Sequence, residues 1–126
     1  MARVCKRGGM VALVDNTVPP DAGRPDYINR FEKLRDPSHH WAYPVAHLEA
    51  SFAAAMLHVV HSQSLKKEME FEPWADRMGA SEATKTELRR MLLEAPEAVR
   101  AFLLPRVDGG RLRFTLTEAI IIGEKP

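Results

Sequence analysis

Apolar and polar positions alternate in different rhythms along this chain, and the rhythm changes mark its elements. Met10-Val11-Ala12-Leu13-Val14 is a continuous apolar run between Gly8-Gly9 and Asp15-Asn16. Such a run predicts a strand over about 10–16, buried on both faces and entered by a tight turn. Residues 17–44 follow, where Pro19, Pro20, Pro25, Pro37 and Pro44 forbid a long helix. Within them Tyr27, Ile28, Phe31 and Leu34 have helical spacing and predict a short helix over 26–35. Asp36-Pro37-Ser38-His39 ends it. Val45, Leu48, Phe52 and Met56, with alanines between them, predict a second helix over 45–56.

The period then shortens. Leu57, Val59, Leu65, Met69 and Phe71 fall on one side of an alternating pattern, with His58, Ser62, Ser64, Lys66, Glu68 and Glu70 mostly on the other. That predicts a long strand over 57–71 with one wet face, near a sheet edge. Residues 72–104 return to helix. Ser81 is its candidate N-cap, the stripe is Leu88, Met91, Leu92, Ala95, Val99 and Phe102, and Pro96 divides it. Val107-Asp108-Gly109-Gly110 reads as a turn, and Leu112, Phe114, Leu116, Ile120 and Ile122 as the last strand, over 111–123. Three strands separated by helices make a small α/β domain over 1–126.

Composition narrows the function classes. Eighteen basic and seventeen acidic residues leave a net charge of +1, so no nucleic acid or anionic membrane is expected as a partner. Cys5 is the lone cysteine, which excludes an intrachain disulfide and suits a reducing cytoplasm. The basic residues 1–9 lead into five apolar residues, too few for a signal peptide.

Several segments, in order, carry a resemblance. Arg3-Val4-Cys5-Lys6-Arg7-Gly8-Gly9, with the apolar run after it, looks like a piece of the class I S-adenosylmethionine (SAM)-dependent methyltransferases. In that family a helix ends in a basic residue, a proline and two glycines before a buried strand, and Arg7 stands where the proline is usual. Phe31-Glu32-Lys33-Leu34-Arg35-Asp36-Pro37-Ser38-His39 resembles a segment of methyltransferases similar to the ubiquinone and menaquinone biosynthesis enzymes. Phe71-Glu72-Pro73-Trp74 and Trp74-Ala75-Asp76-Arg77-Met78 resemble their inserted helical region. The resemblance covers essentially the whole chain. It implies the C-terminal half of a Rossmann-like methyltransferase fold: a three-stranded mixed sheet with flanking helices, the last strand lying antiparallel between the other two.

The same resemblance implies SAM as the family's cofactor, held by a glycine-rich loop and an acidic ribose contact in the first half of the fold. The sequence has no Gly-x-Gly-x-x-Gly or looser equivalent, so this chain alone is expected to bind none. Activity then requires a partner or a longer product. The alternative is a small homodimeric ligand-binding or interaction protein without catalytic activity.

Candidate chemistry is sparse. Asp15 and Asn16 end the first strand, at the edge where open α/β sheets bind ligands. Arg35, Asp36, Ser38 and His39 form the densest polar loop cluster; the resemblance places them around a substrate, with His39 able to act as a base near neutral pH. The local alternative for Asp36 and Ser38 is a helix end and turn. His39, His40, His47, His58 and His61 lack metal-ligand spacing, so no metal is expected. A homodimer through the first strand is expected, because that strand is apolar on both faces and has no proline or lysine to block pairing.

Overall fold

The structure is a computed structural model and describes residues 2–21 and 24–126. After a 3-10 turn at Ala2–Val4 the elements run β1 (Met10–Thr17), α1 (Arg24–Arg35), α2 (Val45–Ala54), β2 (His58–Glu70), α3 (Phe71–Asp76), α4 (Glu82–Leu93), α5 (Glu97–Leu103), β3 (Arg106–Asp108) and β4 (Arg111–Glu124). Ser81 caps α4 as expected, its hydroxyl accepting from the Thr84 N–H.

Among the described residues the sheet has four strands, ordered β1-β4-β2 with β3 also on β4. The last strand therefore lies in the centre, as the resemblance implies. Two expectations need correction. The sheet is not three-stranded, and it is not mixed: β1, β2 and β3 all pair with β4 antiparallel. β3 escapes a sequence reading because it has three residues and leads straight into Gly109-Gly110. Both glycines have positive φ, as a two-residue hairpin turn demands.

The helical stretch after β2 breaks twice, not once. Pro96 divides α4 from α5, and Gly79 at φ +71° separates α3 from α4. The apolar stripe expected along one side of β2 is also split. A bulge between Val59 and His61 inserts one residue and reverses the faces beyond it. Val59 stays with Leu57 in one core, and Met69 joins Phe71 in the other.

Those two cores lie on opposite faces of β4. Phe114 and Leu116 face α1, α3, α4 and α5. There Trp74 is stacked on Phe31 at 4.9 Å and meets Phe114 edge-on, also at 4.9 Å. Ala119 and Ile121 face α2, where Phe52 and Leu48 cover Val11. Gly123 sits so close under Phe52 that a Cβ there would lie 2.6 Å from the ring.

The start of β1 sets the direction of its backbone groups. Gly8 N–H donates to Lys125 O, and Lys125 N–H donates to Gly9 O. Gly8 has φ +76°, so Gly8 and Gly9 form a glycine bulge opposite Lys125. In the register that follows, Val11, Leu13, Asp15 and Thr17 bond to β4, and the N–H groups of Met10, Ala12, Val14 and Asn16 point to the outer edge.

Candidate functional site

α1 is amphipathic in an unusual way. Ile28 and Phe31 enter the core, and the next positions round the helix, Asn29 and Glu32, are buried as well. Asn29 reaches the loop that follows the helix, and Glu32 reaches Asn16 at the end of β1. The chain then turns at Asp36, whose carboxylate accepts from both the backbone and the hydroxyl of Ser38, and returns past Asn29 through His39 and Ala42.

Asn29 ties this return to the helix. Its Nδ2 donates to Pro25 O at 2.8 Å and Ala42 O at 3.0 Å, and its Oδ1 accepts from Ala42 N–H at 2.6 Å. The amide orientation is thus fixed by three backbone groups. His39 Nε2 lies 3.0 Å from the same Oδ1, so Nε2 carries a proton and donates. The other ring nitrogen, Nδ1, faces Glu32 Oε2 at 3.7 Å.

Glu32 is 4% exposed, and its Oε1 has no hydrogen-bond partner in the chain. Burial pushes its carboxyl above the usual carboxylate range; His39, Arg35, the Asn16 side chain and Lys67 oppose that rise. The buried carboxyl and the imidazole nitrogen thus face each other across a gap too long for a hydrogen bond. Lys67 and Glu118, paired at 3.0 Å, lie nearby on the sheet. His39 is also a wall of an open cleft of about 530 Å³, with Lys33, His40, Trp41 and Tyr43.

The residues singled out in sequence are not all together. Asn16 and His39 converge on Glu32. Asp15 is exposed and accepts from the Asn16 N–H at 2.8 Å. Arg35 stacks over Trp74 at 4.3 Å and donates to its carbonyl. Asp36 and Ser38 form the turn, and the Ser38 hydrogen bonds hold the Asp36 carboxyl below its usual range. Glu32 and Asn29 were missed by the sequence reading. The available signal was a polar i, i+3 pair flanking Ile28 and Phe31 before a proline-bounded loop.

In the resembled family the loop that holds SAM runs from a strand into the helix after it. Among the described residues the positive-φ glycines are Gly8 before β1, Gly79 between two helices, and Gly109 and Gly110 in a hairpin. None links a strand to the helix after it, the place where a glycine loop cradles such a ligand. Nor do three His, Cys, Asp or Glu side chains gather as a metal site would need, among the described residues. No helix of these residues is long and apolar enough to cross a membrane.

No family model matches the chain. It is 28% identical over 127 residues to the uncharacterized methyltransferase YcgJ of Bacillus subtilis, a match covering 99% of this chain and 50% of that protein. A crystal structure of BH2331 from Bacillus halodurans, described as a candidate methyltransferase, superimposes with a TM-score of 0.91 at 29% identity, over 99% of this chain and 59% of that one. The crystal structure of YcgJ gives 0.85 at 26% identity, over 98% and 54%. The chain spans about half the length of the methyltransferases it matches, in keeping with the C-terminal part that its sequence resembles.

Proposed function

We propose that this chain is the substrate-side half of a SAM-dependent methyltransferase, and that it works when a SAM-binding half is joined to it. The observation that carries the reading is the match of nearly the whole chain to about half of two methyltransferases, together with the lack, among the described residues, of a positive-φ glycine that leads from a strand into a helix. On this reading the methyl acceptor meets His39, a wall of the open cleft, with the buried Glu32 behind the imidazole and Asn29 as the residue that positions it. The lone thiol of Cys5 suits a reducing, cytoplasmic setting.

The test is a chimera in which this chain replaces the matched half of YcgJ. Given SAM and an extract of small metabolites, the chimera should release S-adenosylhomocysteine and the chain alone should not. Glu32→Gln should lower release by the chimera. Release by the chain alone would overturn the reading, as would a folded, SAM-binding chimera that is inert with every extract.

The second reading is a homodimeric ligand-binding or interaction protein. What favours it is the edge of β1 that no described strand pairs, and an apolar cleft of about 350 Å³ lined by Pro44, Val45 and Phe102 with Ser64 and Thr117. Light scattering at twice 14.2 kDa and a ligand bound without SAM would support it.

A further inference from the structure

We propose that the cleft at His39 recognises its ligand as a planar ring bearing a negative charge, an aromatic carboxylate. This rests on the reading given above, which sets the methyl acceptor in that cleft.

The walls are aromatic by construction. Ala42 is turned inward, 4% exposed, and Asn29 holds both its N–H and its C=O. The residues on either side of it turn outward, Trp41 43% and Tyr43 40% exposed, and both line the cleft. The Thr17 hydroxyl donates to Tyr43 O at 2.8 Å, and the Tyr43 ring lies parallel to that of His47 at 4.3 Å. Two rings are thus presented to water from a backbone tied at Ala42 N, Ala42 O and Tyr43 O. Rings held in place before binding lose little freedom when a flat ligand stacks on them. The cleft, about 530 Å³, has the size of a small-molecule site.

The charge around it is of one sign. Of the residues that line the cleft, Lys33, His39, His40, Trp41 and Tyr43, none is acidic. Lys33 Nζ donates to His39 O at 3.2 Å and forms no ion pair among the described residues. An ammonium carries three N–H donors, so two are left over. The acids nearby are engaged elsewhere. Glu32 is buried behind His39, and the Asp36 carboxylate accepts from the Ser38 N–H and hydroxyl.

Rings and charge together choose the ligand. Aromatic faces alone also attract cations, which the ammonium of Lys33 would repel. An inorganic anion would pair with Lys33 and leave both rings in water. A neutral ring would stack and leave the ammonium unused. A flat acid engages both.

Titration of the chain with 2-naphthoate, followed by the indole N–H signals of Trp41 and Trp74 in proton–nitrogen NMR spectra, tests this. The Trp41 signal should move saturably at millimolar concentration, and that of the buried Trp74 should stay. The neutral 2-naphthalenemethanol should bind about fivefold more weakly, as a partly exposed charge pair implies, and 2-naphthylmethylamine more weakly again. Lys33→Met keeps the alkyl stem and removes the charge, so acid and alcohol should then bind alike. Tyr43→Ala should weaken both by about fivefold. Equal binding of acid and alcohol by the wild-type chain would overturn the assignment, as would an unmoved Trp41 signal or an acid preference that survives Lys33→Met. An acid preference in the chain, beside a folded, SAM-binding chimera that is inert with every extract, would support the cleft's ligand and count against the methyltransferase reading alone. A chimera that releases S-adenosylhomocysteine with neutral metabolites and not with carboxylic acids would uphold that reading and overturn the aromatic acid.

Discussion

Replacing Asn29 by alanine should be the most damaging single truncation around the site. The side chain is 1% exposed and makes three backbone hydrogen bonds plus the one to His39. Pro25 O is at the start of α1 and His39 is part-buried, so water can replace Asn29 at both. Ala42 is the costly partner: it is buried, and both its N–H and its C=O lose their bond. Each buried group left unpaired costs about 1–3 kcal/mol, so the variant should lose roughly 3 kcal/mol. With a urea slope of about 1–3 kcal/mol per molar, the midpoint should fall by roughly 1–3 M. Equilibrium urea unfolding followed by tryptophan fluorescence measures this, since Trp74 is in the adjoining core. His39→Ala, which spares the three backbone bonds, should cost clearly less. A loss below about 1 kcal/mol for Asn29→Ala would refute the argument that this amide holds the returning loop.

Other variants probe other parts of the account. Gly123→Ala pushes a methyl group against Phe52 and Leu57 and should cost about 1–3 kcal/mol in thermal unfolding. Met56→Gly should stabilise the chain by about 0.5–1 kcal/mol, because Met56 is 80% exposed and holds φ at 65° after α2. Glu32→Gln should change the pH dependence of stability. Burial raises the native carboxyl above its ordinary value near 4.5, so the native state binds that proton more tightly than the unfolded chain does. Stability contributed by Glu32 is therefore fully present below pH 4.5 and falls as pH rises through the native pKa. The advantage of wild type over Glu32→Gln should shrink over that window in urea titrations at stepped pH, and a constant difference would contradict the burial argument.

Much of the fold is legible in the sequence because its rhythms are clean. The five-residue apolar run of β1, the Val45-Leu48-Phe52 spacing of α2 and the alternation of β4 each allow one reading. What misleads are features of one or two residues. The bulge at Val59/His61 reverses the side of Leu65 and Met69 without altering composition, and β3 is too short to show a period. The site is harder still. His39 and Asn16 stand out as polar residues at an edge, but Glu32 and Asn29 look like the solvated side of a helix. Their burial is set by the loop that returns through Ala42, a contact across thirteen residues that no local pattern reports. The resemblance places Arg35 around a substrate, yet its guanidinium lies over the Trp74 ring and donates to the Trp74 carbonyl.

Calorimetric titration with SAM, run on the chain and on the chimera carrying the unmatched part of YcgJ, tests the central claim most directly. The account predicts no saturable heat from the chain at micromolar concentrations and a one-to-one isotherm from the chimera. Saturable binding by the chain alone, or a folded chimera that takes up no SAM, would contradict it.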